Sequence, residues 1–73
     1  MSIAETKSNS VVNIKKINGS PYKTRLMEMG FVPGRKIKIE RNSSFNPLVV
    51  IVGESRYSLN KELANDILVD LGN

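Results

Sequence analysis

The chain has 73 residues, enough for one small domain, which buries only about 60% of the surface that its unfolded chain exposes. It contains no cysteine and no histidine, which excludes disulfides, thiolate metal sites and the usual His-based catalytic pairs. Eleven Lys and Arg against seven Asp and Glu give a net charge of +4, which suits an acidic protein or nucleic acid partner but is also ordinary for a small soluble domain.

Neither a membrane span nor a secretion signal is indicated by the sequence. The longest apolar run is Leu48–Val52, against the roughly 20 residues that cross a bilayer. The N-terminus lacks a basic-then-apolar signal pattern. We therefore expect a cytoplasmic protein without membrane insertion.

The first half of the chain predicts a polar tail, a strand and a helix. Residues 1–10 are polar and unpatterned, which favours a flexible tail, so the domain is expected over residues 11–73. Residues 11–17 are rich in β-branched side chains and predict a strand. The inward positions change parity along this strand, which predicts a bulge near Lys15. Ser20 as N-cap and Pro21 at the first position predict a helix over residues 21–29.

The helix is expected to bury one stripe, and its end has a recognisable stop signal. Tyr22, Leu26 and Met29 share the predicted buried face, and Met27 falls on the solvent side. Gly30 can take the left-handed conformation that ends a helix, and the apolar residue after it, Phe31, is expected to pack back onto Leu26. Pro33 and Gly34 then predict a type II turn.

The second half predicts four short strands separated by turns. Residues 35–41 alternate, with Ile37 and Ile39 inward and Lys36 and Lys38 outward. Further strands are predicted over residues 48–52 and 55–59, joined by a Gly-Glu hairpin turn, and near the C-terminus, where Ile67, Val69 and Leu71 alternate inward. Asn60 is expected to cap a helical turn before that last strand. Five short strands with one bend predict a mainly β fold, a small five-stranded antiparallel barrel with one short helix.

Residues 25–34 resemble the sharpest motif of a known family. They read Arg-Leu-Met-Glu-Met-Gly-Phe-Val-Pro-Gly, and the pattern Arg-Leu-x-Glu-Leu-Gly-Phe-x-Pro-Gly is that of the FeoA family, ferrous-iron transport protein A. Ser58-Leu59-Asn60, Ala64, Ile67 and Val69 extend the resemblance. Departures occur at Phe45-Asn46-Pro47, where relatives often have Gly-Asp-Pro, and at Asn60 and Leu63, where relatives have Arg and Glu.

The resemblance implies an SH3-like barrel acting as a small cytosolic accessory protein in ferrous-iron transport. It implies a partner, FeoB, a membrane ferrous-iron transporter with a GTP-binding domain. The resemblance also implies transition-metal ion binding. This sequence, however, offers no imidazole or thiolate ligand, so no intrinsic metal site and no cofactor are expected. A monomer or weak oligomer is expected.

Enzymatic activity is not expected, because the carboxylates are scattered and no phosphate-binding loop is present. Two alternatives remain open. A small basic barrel could bind nucleic acid, although aromatic platforms for bases are scarce. The chain could also be a stand-alone regulatory domain that resembles the SH3-like module of iron-dependent repressors.

Exposed apolar residues give the best positive indication of a partner surface. Met27, Phe45 and Leu68 are all predicted to point outward, and aromatic and Met side chains are enriched at interface cores. Lys36 and Lys38 add a basic strand face beside them. These five residues are the predicted partner contacts.

Overall fold

The computed structural model describes residues 1–72, and the last residue of the predicted domain, Asn73, lies outside them. A single antiparallel sheet holds five strands in the order β4-β3-β2-β1-β5. The strands are β1 (Val11–Ile17), β2 (Lys36–Arg41), β3 (Leu48–Val52), β4 (Ser55–Leu59) and β5 (Ile67–Leu71). The helices are a 3₁₀ turn (Ile3–Glu5), α1 (Lys23–Glu28) and α2 (Lys61–Ala64). The predicted mainly β architecture is confirmed.

The predicted bulge lies in β1. Ile14 pairs with Val69 and Lys16 pairs with Leu68, so Lys15 is an extra residue on the β1 side of the ladder. Bulges bend a strand and increase its twist. The bend lets β1 pair with β2 through its first half and with β5 along most of its length, which curls the sheet around one core.

The end of α1 is a Schellman motif. The Phe31 N–H donates to the Leu26 carbonyl at 3.0 Å, and the Gly30 N–H donates to the Met27 carbonyl at 3.0 Å. Gly30 has φ of 105°, and this left-handed conformation suits a residue without a Cβ. Leu26 and Phe31 are both fully buried, as predicted for the apolar contact of this motif.

The two predicted turns after α1 and β3 also form. The Arg35 N–H donates to the Val32 carbonyl at 3.0 Å across Pro33 and Gly34, which closes a type II turn. Gly53 begins the two-residue connection between β3 and β4, where Val52 pairs with Ser55. Both turns therefore match the chemistry that their sequences predict.

The core draws on every strand and both α-helices. Its buried apolar residues include Val12, Ile14, Leu26, Ile37, Ile39, Leu48, Val50, Leu59, Ala64, Ile67 and Val69. Two inward assignments were wrong. Tyr22 is exposed because α1 begins only at Lys23, and Leu71 is exposed at the end of β5. Leu68 alternates with the buried Ile67 and Val69 and is half-buried where it forms a bridge with Ser2.

The predicted flexible tail is corrected by the structure, since the N-terminal residues pack against the barrel. Ile3 is fully buried in the core cluster. Ser2 forms an antiparallel bridge with Leu68, and the Val69 N–H donates to the Met1 carbonyl at 2.9 Å. The segment thus covers the open edge of β5, which would otherwise present unpaired backbone groups.

Candidate functional site

A groove lies between α1 on one side and β4 with α2 on the other. It encloses about 650 Å³. Its apolar lining comes mainly from Tyr22, Leu26, Met29 and Leu63. Arg25, Glu62 and Asp66 add charges to its lining, so an apolar floor is accompanied by groups of both signs.

Tyr22 stands at one lip of this groove because the chain turns there before α1 begins. The Tyr22 N–H donates to the Ser20 hydroxyl at 3.0 Å, and its backbone, with φ of −97° and ψ of 13°, is not yet helical. The side chain is 58% exposed. An aromatic ring held by the turn and left open to solvent is a suitable contact for a protein partner.

The opposite wall depends on the cap of α2. The Asn60 side-chain oxygen accepts a hydrogen bond from the Leu63 N–H at 2.7 Å. This N-cap fixes the single turn of α2 and holds Leu63 partly buried against the core. Asn60 therefore keeps the predicted capping role, and Leu63 supplies an apolar wall.

The five predicted contact residues lie in three separate settings. Phe45 is 99% exposed in the loop between β2 and β3. Met27, which is 40% exposed, and half-buried Leu68 both neighbour Lys16: Met27 shares a small depression with it, and Leu68 is its strand partner. Lys36 and Lys38 are exposed at alternate positions of β2, opposite Asn13 and Val11 of β1.

The loop that carries Phe45 is tied down at its first residues. The Asn42 N–H donates to the Ser8 hydroxyl at 2.7 Å, and the Lys61 ammonium donates to the Ser43 carbonyl at 2.9 Å. Phe45 thus projects from an anchored base, which lowers the entropy lost when a partner orders the loop.

Sequence reasoning missed the groove, although it named some of its residues. The helical period places Tyr22 and Met29 in the core, and Leu63 stands out in the sequence only as a departure from the family motif. The signal that could have found the groove is the Ser-Pro-Tyr segment before the helix, because a turn at Ser20 and Pro21 delays the first helical residue.

Metal chemistry finds little support in the arrangement of ligands. Within residues 1–72, no three carboxylate, imidazole or thiolate groups lie close enough to hold a metal ion together. In the same part of the chain, no helix combines the length and apolar character that a bilayer crossing requires.

Comparison with known proteins gives a consistent answer. The sequence model of the FeoA domain matches residues 1–71. The FeoA of Stenotrophomonas maltophilia, crystallised with zinc and described as an SH3 domain protein, superposes with a TM-score of 0.86 at 25% identity, over 96% of this chain and 89% of that chain. A FeoA-like protein from Clostridium acetobutylicum gives a TM-score of 0.84 at 29% identity, over 97% and 85% of the two chains. The predicted SH3-like barrel is thereby confirmed.

One further neighbour shares the fold alone. IdeR of T. acidophilum superposes with a TM-score of 0.82 at 24% identity, and the match covers 99% of this chain but 34% of that one. No curated protein matches the sequence.

Proposed function

Because the chain belongs to the FeoA family, we propose that it is a cytoplasmic accessory protein of ferrous-iron uptake. In this role it binds the cytosolic part of a FeoB-type transporter and modulates its transport or nucleotide cycle. The S. maltophilia relative is described as a candidate ferrous iron transport activating factor, which supports this assignment. The chain acts by binding, and no covalent step is proposed.

The groove between α1 and α2 is the observation that carries the proposal. It presents Tyr22 as an exposed aromatic beside the partly buried Met29 and Leu63. Hot spots of protein interfaces are enriched in Tyr and cluster where apolar contacts exclude water. A short apolar segment of the transporter's cytosolic part fits such a groove, and Arg25 or Glu62 at its lining can fix the segment's direction.

The test is binding of the ¹⁵N-labelled chain to the soluble cytosolic domain of the cognate transporter, followed by NMR with GDP and with a GTP analogue. We expect localised shifts in residues of the groove, larger in one nucleotide state than in the other. Absence of any shift in both states, at protein concentrations near the solubility limit, would contradict the proposal.

Two aromatic variants separate the groove from the loop surface. Tyr22 lies in the groove and Phe45 lies outside it, and both side chains are exposed. We expect Tyr22→Ala to weaken binding by about tenfold, which corresponds to about 1.4 kcal/mol. We expect Phe45→Ala, as a separate single variant, to weaken binding by less. If only Phe45→Ala weakened binding, the contact surface would lie at the loop between β2 and β3 instead of the groove. The other candidate contacts to test would then be Met27, Leu68, Lys36 and Lys38.

A further inference from the structure

We propose that a small depression on another face of α1 is a second protein-binding surface, which takes an acidic segment carrying one apolar side chain. Lys16, Lys23, Met27 and Pro33 surround it. The proposal goes beyond the groove and does not require the transporter as the partner.

The depression is a preformed apolar cup. It encloses about 130 Å³, and Ile17 and Phe31, both buried core residues, lie beneath it. Met27 forms one wall and Pro33 another. Both Phe31 and Pro33 have fixed backbones, since one belongs to the cap of α1 and the other to the type II turn. A cup of this size suits one aliphatic side chain rather than an extended apolar segment.

The bulge in β1 supplies the positive rim. In a regular strand, Lys16 would point to the same side as the buried Ile14. The extra residue re-aims it, so that Lys15 and Lys16 are consecutive exposed lysines before the buried Ile17. On the helix side, Lys23 lies four residues before Met27, and residues at that spacing share a face.

The neighbouring turn holds the rim in place. The Gly34 N–H donates to the Ile14 carbonyl at 2.8 Å, and the Ile14 N–H donates to the Arg35 carbonyl at 2.9 Å. These bonds fix the backbone of the turn beside the bulge. Among residues 1–72, no acidic residue lines the depression.

Among residues 1–72, the rim lysines form no ion pair with a carboxylate. In the part of the chain that the structure describes, the ion pair joins Arg56 to Glu40, on β4 and β2, and neither Lys15, Lys16 nor Lys23 forms one. An apolar cup with an unneutralised cationic rim is complementary to a segment of the opposite charge with one apolar residue.

A protein segment fits this surface better than single-stranded nucleic acid does. Nucleic acid sites of that kind need exposed aromatic rings on which bases stack. The one aromatic residue at the depression is Phe31, which is fully buried and offers no stacking face. The lysine ammonium groups around the cup are compact point charges, which attract the carboxylates of an acidic protein segment.

The test uses a short acetylated peptide of Glu and Asp with one central Leu, and a matched peptide with Ser in place of that Leu. We expect the Leu peptide to shift the amide signals of Lys16, Lys23, Met27 and their neighbours, and to bind more tightly than the Ser peptide. Affinity is expected to fall as salt is raised, because exposed charges are screened.

Matched charge reversals give the control. The double variant Lys16→Glu with Lys23→Glu is expected to weaken binding of the Leu peptide by about tenfold or more. The control double variant Lys7→Glu with Lys38→Glu changes the net charge equally at exposed sites elsewhere, and it is expected to weaken binding much less. Met27→Ser is expected to remove the preference for Leu over Ser while leaving the salt dependence in place.

Three outcomes would overturn the proposal. Shifts spread evenly over all exposed lysines would show non-specific attraction, and so would equal losses in the two double variants. Tighter binding of a single-stranded oligonucleotide, or of vesicles with anionic lipids, at the same residues would assign the surface to a different class of partner. Since none of these measurements includes the transporter, this proposal and the proposed function can fail independently.

Discussion

At the scale of single residues, Gly30 combines a positive φ with a close approach to a core side chain. Its φ of 105° is left-handed, and a Cβ built there would lie 2.8 Å from the Val52 Cγ1 atom. The first effect costs about 1–2 kcal/mol for an L-residue, and crowding a packed core adds about 1–3 kcal/mol. We therefore expect Gly30→Ala to lower the free energy of unfolding by about 2–5 kcal/mol, measured by urea denaturation followed by circular dichroism.

Gly34 is the matched control for this prediction. It also has a positive φ, 87°, but a Cβ there would meet nothing within 4 Å. Gly34→Ala should carry the conformational cost of about 1–2 kcal/mol without the clash. Equal losses in the two variants would mean that the approach of Val52 to Gly30 has no energetic weight.

Residue-level reasoning succeeded where one short motif determines the outcome and failed where two motifs compete. The cap at Gly30 and Phe31 follows from local backbone geometry, so the sequence predicts it in full. Tyr22 matches the period of a buried helical stripe, but the turn that the Ser20 hydroxyl stabilises keeps it outside the helix. Periodicity alone cannot say which of those signals prevails.

At the scale of elements, the N-terminal segment is the clearest departure from expectation. One isolated Ile among polar residues has no period, so nothing local distinguishes a tail from an edge-covering strap. Its order comes from β5, a partner far along the chain. We expect Ile3→Ala to destabilise the protein by about 2–5 kcal/mol, measured by thermal unfolding, whereas Lys7→Ala at an exposed site should change little. If Ile3→Ala left the stability unchanged, the segment would instead behave as the flexible tail that the sequence predicts.

The same segment should loosen at low pH. The Ser2 N–H donates to the Glu5 carboxylate at 3.1 Å, and this hydrogen bond holds the pKa of Glu5 below its ordinary value. Because the folded pKa is the lower one, the contribution is present above the ordinary Glu pKa and is lost as pH falls through the folded value.

Glu5→Gln isolates this pH effect. We expect its stability to fall below that of the unmodified chain near neutral pH and the difference to shrink in acid, measured by unfolding across a pH series. NMR shifts of the Leu68 and Val69 amides, which lie beside the segment, should follow the same titration in the unmodified chain. A difference that stays constant with pH would contradict the assignment.

At the scale of the whole molecule, the barrel was predictable but the groove was not. Alternation in β2, the Gly turns and the bent β1 each restrict the fold locally, and their sum favours a small closed sheet. The groove arises between α1 and α2, which are distant in sequence and which the sheet places on opposite sides of it. Its residues carry no shared pattern, so only the assembled structure brings Tyr22 and Leu63 to one surface.

We expect folding to be cooperative, because β5 contributes both a strand pairing with β1 and residues of the core. β1 lies between β2 and β5 in the sheet. One edge of β1 therefore stays unpaired until β5, which carries Ile67 and Val69, pairs with it. Those two residues are also core residues in contact with the rest of the cluster. We expect a chain ending before Ile67 to give an NMR spectrum with the poor amide dispersion of an unfolded protein. Such a chain loses both the pairing of β5 with β1 and part of a small core.

A point change at the end of the same strand provides the contrast. Leu71 is 68% exposed, and Leu71→Ala should keep the dispersed spectrum and a single unfolding transition that coincides by tyrosine fluorescence and circular dichroism. A dispersed spectrum in the truncated chain would show instead that β1 to β4 form an independent unit. In that case β5 would be an edge strand that the rest of the sheet does not need in order to fold.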